Sequence, residues 1–176
     1  RTIGRVYATM EKDGKRTSRI IAEKLVQPNG VLVHNGSLYV VAIHRVFRYD
    51  NIEDELAKGN VPTPVDLTDT FKLPTDVHHN WKFIALGPDK KIYFQIGAPC
   101  NVCEINPGVH GQIRRYDLDG SNMEIVARGV RNTVGFDFHP KTGELWFTDN
   151  GRDWAAEDGF DDELNRIAKE VGSRAK

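Results

Sequence analysis

The stretch RNTVGFDFHPKTGELWFTDNGRDW, residues 131–154, decides the fold. Apolar and polar residues alternate on both sides of the turn sequence HPKTG (139–143), and this alternation predicts a β-hairpin with one buried face. The polar groups of the stretch lie at the ends of the predicted strands, where a sheet presents binding and catalytic residues. The stretch therefore predicts a sheet scaffold with a site at one of its ends.

The same pattern occurs twice earlier in the chain. VLVHNGSLYVVA (31–42) and FIALGPDKKIYFQIG (83–97) each contain a strand, a turn rich in Gly or Pro, and a second strand with a central aromatic residue. Tyr39, Tyr93 and Trp146 occupy that central position, at intervals of 54 and 53 residues. A β repeat of this length predicts the blades of a β-propeller, because a β-sandwich gives no reason for the aromatic residues to recur.

The predicted fold class is all-β, with about three blades of a β-propeller at residues 1–75, 76–128 and 129–176. Propellers close with about four to eight blades. Three blades leave apolar sheet faces uncovered, so we expect the chain to be part of a longer protein or to associate with copies of itself.

The remaining elements follow from local patterns. We predict strands over 3–10, 18–25, 31–34, 38–43, 45–49, 82–86, 92–96, 112–118 and 123–128, and one or two helical turns over 51–58. Asn35 and Gly36 predict a tight turn, since both tolerate positive φ. Residues 60–76 contain three prolines, which predicts a long surface connection without a regular element. An acidic loop over 157–163 and a segment of helical composition over 164–176 complete the chain.

Charge and hydropathy exclude two classes of partner. The 24 Lys and Arg residues nearly balance the 25 Asp and Glu residues, so the sequence lacks the basic surface that nucleic acid requires. No run of residues approaches the roughly 18 apolar residues of a membrane span. We therefore expect neither nucleic acid nor a membrane-spanning segment.

Cys100 and Cys103 form a single CxxC motif. One such motif cannot supply four zinc ligands, and Glu104 stands where a c-type haem site needs His. A redox-active CxxC opens a helix of a βαβ unit, which the sequence does not indicate here. We predict a local disulfide that closes the loop 97–108, formed in an oxidising compartment.

Three segments resemble the glucose/sorbosone dehydrogenases: HHNWKFIALGPDKKIYFQIGAPCNVCE (78–104), GQIRRYDLDGSNMEIVARGVRNTVGFDFHPKTGELWFTDNGRDW (111–154) and DDELNRI (161–167). Members of this family are six-bladed propellers that use pyrroloquinoline quinone (PQQ). The GAPCNVCE loop is most similar to the sorbosone dehydrogenase branch. The similarity is densest over residues 78–167, about half of the chain.

The resemblance implies a reaction and its requirements. The substrate would be an aldose or sorbosone-type sugar, oxidised at C1 by hydride transfer to the quinone. PQQ and calcium would be the cofactors, and a separate electron acceptor would be needed. The location would be periplasmic or extracellular.

The resemblance also assigns residues of the reaction centre. His79 matches the family's general base, and Arg131 and Asn132 match the Arg-Asn pair that contacts the quinone. From the residues alone, a lone histidine at a strand entry is more often a hydrogen-bonded polar residue than a base. Arg131 alone fits either a solvated charge or a contact to a planar anion, because its guanidinium offers paired donors.

Calcium ligands are implied in the same way. Gly151 and Arg152 align with positions whose backbone carbonyls bind the calcium next to PQQ, and Asp161, Asp162 and Glu163 match an acidic motif that binds further calcium in some members. The residues themselves allow two interpretations, since the loop 149–153 offers oxygen ligands and a glycine but acidic loops are usually only solvated.

Three functions fit this sequence. The first is the PQQ-dependent sugar dehydrogenase, of which the present chain alone is expected to be inactive because the family's later cofactor ligands have no counterpart in it. The second is a non-enzymatic propeller with NHL-like blades that serves as a binding platform. The third is a calcium-dependent lactonase, which hydrolyses lactones without a quinone.

Overall fold

The computed structural model describes residues 3–153 and 161–167, and within these ranges it contains thirteen strands and two short helices. The strands are β1 (Ile3–Lys12), β2 (Lys15–Val26), β3 (Pro28–His34), β4 (Ser37–Ala42), β5 (Arg45–Tyr49), β6 (Val65–Asp66), β7 (Ile84–Leu86), β8 (Ile92–Ile96), β9 (Gln112–Tyr116), β10 (Glu124–Arg128), β11 (Phe136–Phe138), β12 (Leu145–Asp149) and β13 (Glu163–Ile167). The helices are α1 (Ile52–Ala57) and α2 (Thr68–Phe71).

The strands form four antiparallel sheets in chain order. The hairpin β1–β2 is followed by the sheet β3–β6, the sheet β7–β10 and the sheet β11–β13. Within each sheet, every strand pairs with the next one along the chain, which is the meander that builds a propeller blade. The architecture is therefore all-β and propeller-like, whereas the blade boundaries, the blade count and closure stay predictions.

Tight turns make these short-range pairings easy. Asn35 and Gly36, between β3 and β4, have φ values of 48° and 74°, as the sequence predicted for a two-residue turn. The Asp13-Gly14 turn of the first hairpin has similar values of 52° and 73°. Positive φ at both turn residues matches the twist of the flanking strands, so each hairpin closes without splaying.

Alternation of side chains along β4 gives this strand two buried faces. Tyr39 and Val41 belong to the core between the sheets β3–β6 and β7–β10. Leu38 and Val40 point the other way, into a second core that the hairpin β1–β2 covers with Ile21 and its neighbours. Successive residues of a strand face opposite sides, so a strand between two layers becomes apolar throughout.

The next sheet repeats this arrangement. Phe94 of β8 faces the first of these cores, and Tyr93 faces a third core shared with Phe136, Leu145 and Phe147 of the last sheet. The layers therefore stack face to face in sequence order. This stacking brings the ends of neighbouring sheets together, which is what places the candidate site.

The prediction for residues 60–76 was wrong. The segment contains the edge strand β6 and the helix α2, and Phe71 of α2 is only 1% exposed. Its ring lies 5.3 Å from that of Phe94 and 5.1 Å from that of Tyr116. The prolines lie at positions 62, 64 and 74, so the stretch between them was free to insert Leu67 and Phe71 into the core.

The helical composition of residues 164–176 does not give a helix in the part that the structure describes. Residues Glu163–Ile167 form β13, which pairs with β12 through partners such as Leu145 and Ile167. The guanidinium of Arg166 lies 5.6 Å from the ring centre of Trp146. Cross-strand contacts of this kind override local helix propensity. Residues 154–160 and 168–176, which include most of the predicted acidic loop, lie outside the described residues.

Candidate functional site

Four chain segments meet at one end of the last two sheets. His79 lies before β7, Ala98 follows β8, Arg131 lies before β11, and Asp149 ends β12. Antiparallel pairing puts the start of one strand beside the end of the next. The two sheets are joined at this end by a hydrogen bond of 2.8 Å from the Ala98 N–H to the Arg131 carbonyl oxygen.

Gly97 permits this close approach. A Cβ atom at this position would overlap the carbonyl oxygen of His79 and lie 2.9 Å from that of Arg131. Both obstacles are backbone atoms, which cannot move aside as the end of a flexible side chain can. The absence of a side chain at residue 97 is therefore what lets the His79 and Arg131 segments sit against the end of β8.

His79 is held in one orientation and one protonation state. Its side chain is 9% exposed, and its Nδ1 atom lies 3.1 Å from the Ala98 carbonyl oxygen. A carbonyl only accepts, so Nδ1 carries the proton and Nε2 carries the lone pair. Burial, together with repulsion from His78 and Arg131, lowers the pKa of His79 below its ordinary value of 6.5. The imidazole is therefore neutral at pH 7, as a general base requires.

The backbone of His79 has a φ of 47°, which is uncommon for a residue with a side chain. Side chains around the next residue stabilise this conformation. Asn80 donates through Nδ2 to the carbonyl oxygens of Pro74 and Asp76, at 3.0 and 2.5 Å. Lys82 donates through Nζ to the Asn80 carbonyl oxygen at 2.8 Å and also to its Oδ1 atom.

Lys82 is completely buried, and burial lowers the pKa of its amino group well below the ordinary value of 10.5. A buried lysine is costly and is therefore expected only where it satisfies other polar groups. Here it satisfies both oxygens of Asn80, next to His79. The sequence prediction of a strand from residue 82 missed this arrangement, because the strand β7 begins only at Ile84.

Asp149 holds the Arg131-Asn132 pair. Its Oδ2 atom accepts a hydrogen bond of 3.0 Å from the Arg131 N–H, and its Oδ1 atom accepts one of 2.7 Å from the Asn132 N–H. The Asn150 N–H in turn donates to the Asn132 carbonyl oxygen at 3.0 Å. Burial raises the pKa of Asp149, the two N–H donors lower it, and the charge of Glu163 raises it further.

The guanidinium of Arg131 is bound on two sides. Nη1 donates to the Asn150 carbonyl oxygen at 2.9 Å, and Nη2 donates to Oδ1 of Asn101 and to its carbonyl oxygen, the latter at 3.4 Å. Its Nε is buried without a hydrogen-bond partner among the described residues. Asn101 lies between Cys100 and Cys103, which form the predicted disulfide. That prediction is confirmed.

A cavity of about 220 Å³ adjoins this arrangement. It is lined by Gly129, Arg131, Asp149, Asn150, Gly151, Arg152, Asp161 and Glu163. The structure thus brings together Arg131, Gly151, Arg152, Asp161 and Glu163 of the sequence-predicted residues. Asp162 contacts the same loop through its Oδ1 atom, which accepts a 2.8 Å hydrogen bond from the Gly151 N–H. His79 and Asn132 are not lining residues of this cavity.

The donor chemistry of this cavity fits calcium. Carboxylates and carbonyls are the ligands that calcium prefers, and the Oδ1 atom of Asn150 is buried without a hydrogen-bond partner within the described part of the chain. Asp149 and Glu163 line the same cavity, so two carboxylates face the space where a cation could lie. Over residues 3–153 and 161–167, however, no three His, Cys, Asp or Glu side chains stand close enough together to hold a metal ion.

The fit to PQQ is partial. Arg131 and Arg152 line the same cavity and offer cationic groups to an anionic ligand. The cavity is smaller than the 300 to 1,000 Å³ or so of ordinary ligand pockets. The described residues around this cavity therefore offer cationic groups to an anionic ligand but do not by themselves enclose a ligand of that size.

A larger cavity, of about 510 Å³, lies among the hairpin turns at the opposite end of the sheets. Its Asp50 carboxylate is already satisfied, since it accepts hydrogen bonds from Arg48 at 2.7 Å and from Ser37 at 2.8 Å. It lacks the neutral buried histidine and the unpartnered oxygen found at the other end. We therefore assign the functional site to the end that carries His79.

Sequence comparison identifies a relative of unassigned function. No protein-family model matches the chain. An uncharacterized protein of Borreliella burgdorferi is 32% identical over 156 residues, which is 85% of this chain and 41% of the relative. The chain thus spans less than half the length of the curated relative it matches.

Comparison with solved structures supports the fold. The calcium structure of a Trichoderma reesei carbohydrate-active enzyme of family AA12 superposes with a TM-score of 0.70 at 16% identity, over 97% of this chain and 48% of that one. A luciferin-regenerating enzyme gives 0.57 at 13% identity, over 88% and 49%. The PQQ-bound aldose sugar dehydrogenase of Streptomyces coelicolor gives 0.45 at 18% identity, over 94% and 64%, a similarity too low to argue from.

Among the described residues, no helix has the length and apolar character needed to cross a lipid bilayer.

Proposed function

We propose that the protein is a PQQ- and calcium-dependent dehydrogenase that oxidises an aldose or sorbosone-type sugar at C1. The observation that carries the proposal is the neutral, buried His79, whose proton is fixed on Nδ1 by the Ala98 carbonyl at 3.1 Å. The His79 segment approaches the Arg131 segment at Gly97, and Arg131 lines the cavity that offers carboxylate and carbonyl oxygens, an arrangement that supports the setting expected from the sequence resemblance.

His79 acts as the general base in this proposal. Nε2 carries the lone pair and takes the proton from the anomeric hydroxyl while the C1 hydride leaves. A positioned base of this kind contributes about 10²–10⁴-fold to the rate. The lowered pKa keeps the base unprotonated down to a pH below 6.5.

Arg131 and Asn132 would contact the quinone, and Asp149 fixes their backbone at 3.0 and 2.7 Å. The carbonyls of Gly151 and Arg152, with Asp162 and Glu163, would hold calcium. When bound, PQQ supplies the two-electron acceptor and calcium polarises it as a Lewis acid.

Two further observations support the proposal. The Trichoderma reesei structure, with a TM-score of 0.70, is a calcium structure of a carbohydrate-active enzyme. The Cys100–Cys103 disulfide supports a periplasmic or extracellular location, because disulfides persist in oxidising compartments. An electron acceptor would complete the reaction, and self-association stays a prediction.

The test uses protein expressed from its complete reading frame, stripped of metal and assayed with a panel of sugars and an artificial electron acceptor. Oxidation that requires both added PQQ and added calcium is the expected result. Hydrolysis of lactones with calcium alone would assign the lactonase instead. Absence of any turnover, with no PQQ or calcium binding, would favour the non-enzymatic binding platform over both enzymes.

A further inference from the structure

One loop contact joins the disulfide to the candidate site. Asn101 lies between the two cysteines, and its Oδ1 atom accepts hydrogen bonds from Nη2 of Arg131 and from the Asp153 N–H, the latter at 3.3 Å. Its Nδ2 atom donates to the Asp153 carbonyl oxygen at 3.2 Å. Asn101 therefore connects the cysteine loop to both the Arg131 guanidinium and the loop 149–153.

Asn101 and Arg131 also line a small cavity of about 150 Å³. Its other lining residues are Ala98, Cys100, Cys103, Ile105, Gly129, Val130 and Arg152. Two members of the candidate site, Arg131 and Arg152, thus face the cysteine loop directly. Ala98, which bonds to His79 and to the Arg131 backbone, lies two residues before Cys100. Movement of the loop would reach all of these groups.

The base of this loop is anchored, since the Ala98 N–H donates to the Arg131 carbonyl oxygen at 2.8 Å and Gln112 Nε2 donates to the Pro107 carbonyl oxygen at 2.6 Å, whereas its tip is held through Asn101. Residues 97–108 contain no helix or strand, and Val102 at its tip is 64% exposed. A loop without a backbone ladder opens at low free-energy cost unless a crosslink limits its conformations. The Cys100–Cys103 bond is the crosslink here, and Cys103 is exposed, so a small dithiol can reach it.

We propose that Asn101 is a positioning residue of the candidate site, and that the Cys100–Cys103 disulfide keeps it in place. Reduction of the disulfide releases Asn101, and Arg131 and the loop 149–153 then lose their shared anchor. The site is thereby coupled to the thiol redox state of its surroundings. The identity of the ligand rests on the proposed function. The positioning of Arg131 and the loop 149–153 by Asn101 does not.

The chemical step is a thiol–disulfide exchange. A dithiol such as dithiothreitol donates two electrons and two protons. The Cys100–Cys103 bond breaks into two thiols, and the dithiol closes into a cyclic disulfide.

The first test is amide hydrogen exchange in the oxidised and the dithiol-reduced protein, without any cofactor. We expect the Asp153 amide, which donates to Asn101, to exchange about three- to tenfold faster after reduction, the effect of losing roughly one hydrogen bond. Amides of β8, which lie in the core, should not change. Equal exchange at Asp153 in both states would overturn the proposal.

Variants distinguish the effect of the disulfide from the effect of Asn101. The double variant Cys100→Ser/Cys103→Ser should show the fast exchange with and without the dithiol. Asn101→Ala should show it with the disulfide intact, whereas Asn101→Asp keeps the acceptors for Arg131 and Asp153 and should restore slow exchange. Slow exchange in Asn101→Ala would show that the disulfide acts without Asn101 and would refute its role.

A calcium titration tests whether reduction of the disulfide also affects the calcium site of the proposed function. Calorimetry with calcium alone should give about tenfold weaker binding after reduction, since the loop 149–153 would carry the metal ligands. Equal binding in both states would contradict the coupling. Absence of calcium binding by the oxidised protein would refute the proposed function, while the exchange experiment would still decide the role of Asn101.

Discussion

The substitution Gly97→Ala tests how the candidate site is assembled. The new Cβ atom would overlap the carbonyl oxygen and the Cβ of His79, and it would lie 2.9 Å from the Arg131 carbonyl oxygen. Side chains in the core relieve such contacts by changing rotamer, but two backbone segments must shift here. Overpacking of this kind costs about 1–3 kcal/mol.

A matched control is available in Gly135→Ala. A Cβ at residue 135 would meet nothing within 4 Å, so the substitution tests the loss of backbone freedom without a clash. Such an exchange stabilises by about 0.4–1 kcal/mol, because it reduces the conformational entropy of the unfolded chain. The same entropy gain applies to Gly97→Ala and cancels in the comparison, so the difference between the two variants should be roughly the 1–3 kcal/mol of the overpacking.

Urea unfolding at pH 7.5, followed by tryptophan fluorescence, measures both free energies of unfolding. Gly97→Ala should also release His79, whose imidazole resonances should move toward those of an exposed histidine. Equal stability of the two variants would refute the claim that Gly97 permits the approach of His79 and Arg131.

Three further predictions concern the core and the buried titratable groups. Phe71→Ala should cost about 3–5 kcal/mol by urea unfolding, because the ring is buried between aromatic neighbours, whereas Tyr7→Ala at an exposed position should cost under about 1 kcal/mol; similar losses would contradict the core position of α2. The pKa of His79 is lower in the folded than in the unfolded protein, so its contribution to stability is present above pH 6.5 and is lost as the pH falls through the folded pKa. Between pH 7.5 and 5.5, the free energy of unfolding should therefore fall less in His79→Asn than in the wild type. Parallel plots of this free energy against pH would count against burial of the imidazole. Burial also lowers the pKa of Lys82, so its amino group takes up a proton when the protein unfolds. The free energy of unfolding of the wild type should therefore rise relative to that of Lys82→Met between pH 7 and 10. A constant difference between the two free energies would show that Lys82 stays charged in the folded protein.

The fold could be predicted where local patterns decide it. The hairpins follow from period-two alternation and from turns such as Asn35-Gly36, and both are local properties. His139 is likewise the turn residue that its position indicated, since its Nδ1 atom accepts hydrogen bonds from the N–H groups of Lys141 and Thr142. Helix α2 and strand β13 were missed, because each is stabilised by residues distant in the chain.

The candidate site could be predicted only in part. A histidine and an Arg-Asn pair can be found by resemblance to a family. The residues that hold them, Asp149 and Asn101, act through contacts between segments 17 to 30 residues apart. No local pattern reports such contacts. A signal for Asp149 existed, since an acid directly after a buried strand and before Asn-Gly is placed to accept N–H groups, whereas Asn101 carried none.

The most direct test of the proposed function is a single-turnover measurement. Wild-type protein and His79→Asn, both expressed from the complete reading frame, are loaded with PQQ and calcium and mixed rapidly with sugar while the absorbance of the quinone is followed. We predict equal PQQ affinity in the two proteins and reduction of the quinone about 10²–10⁴-fold slower in the variant. Loss of PQQ binding together with rate would make His79 a structural residue, and a variant as fast as the wild type would contradict its role as the base.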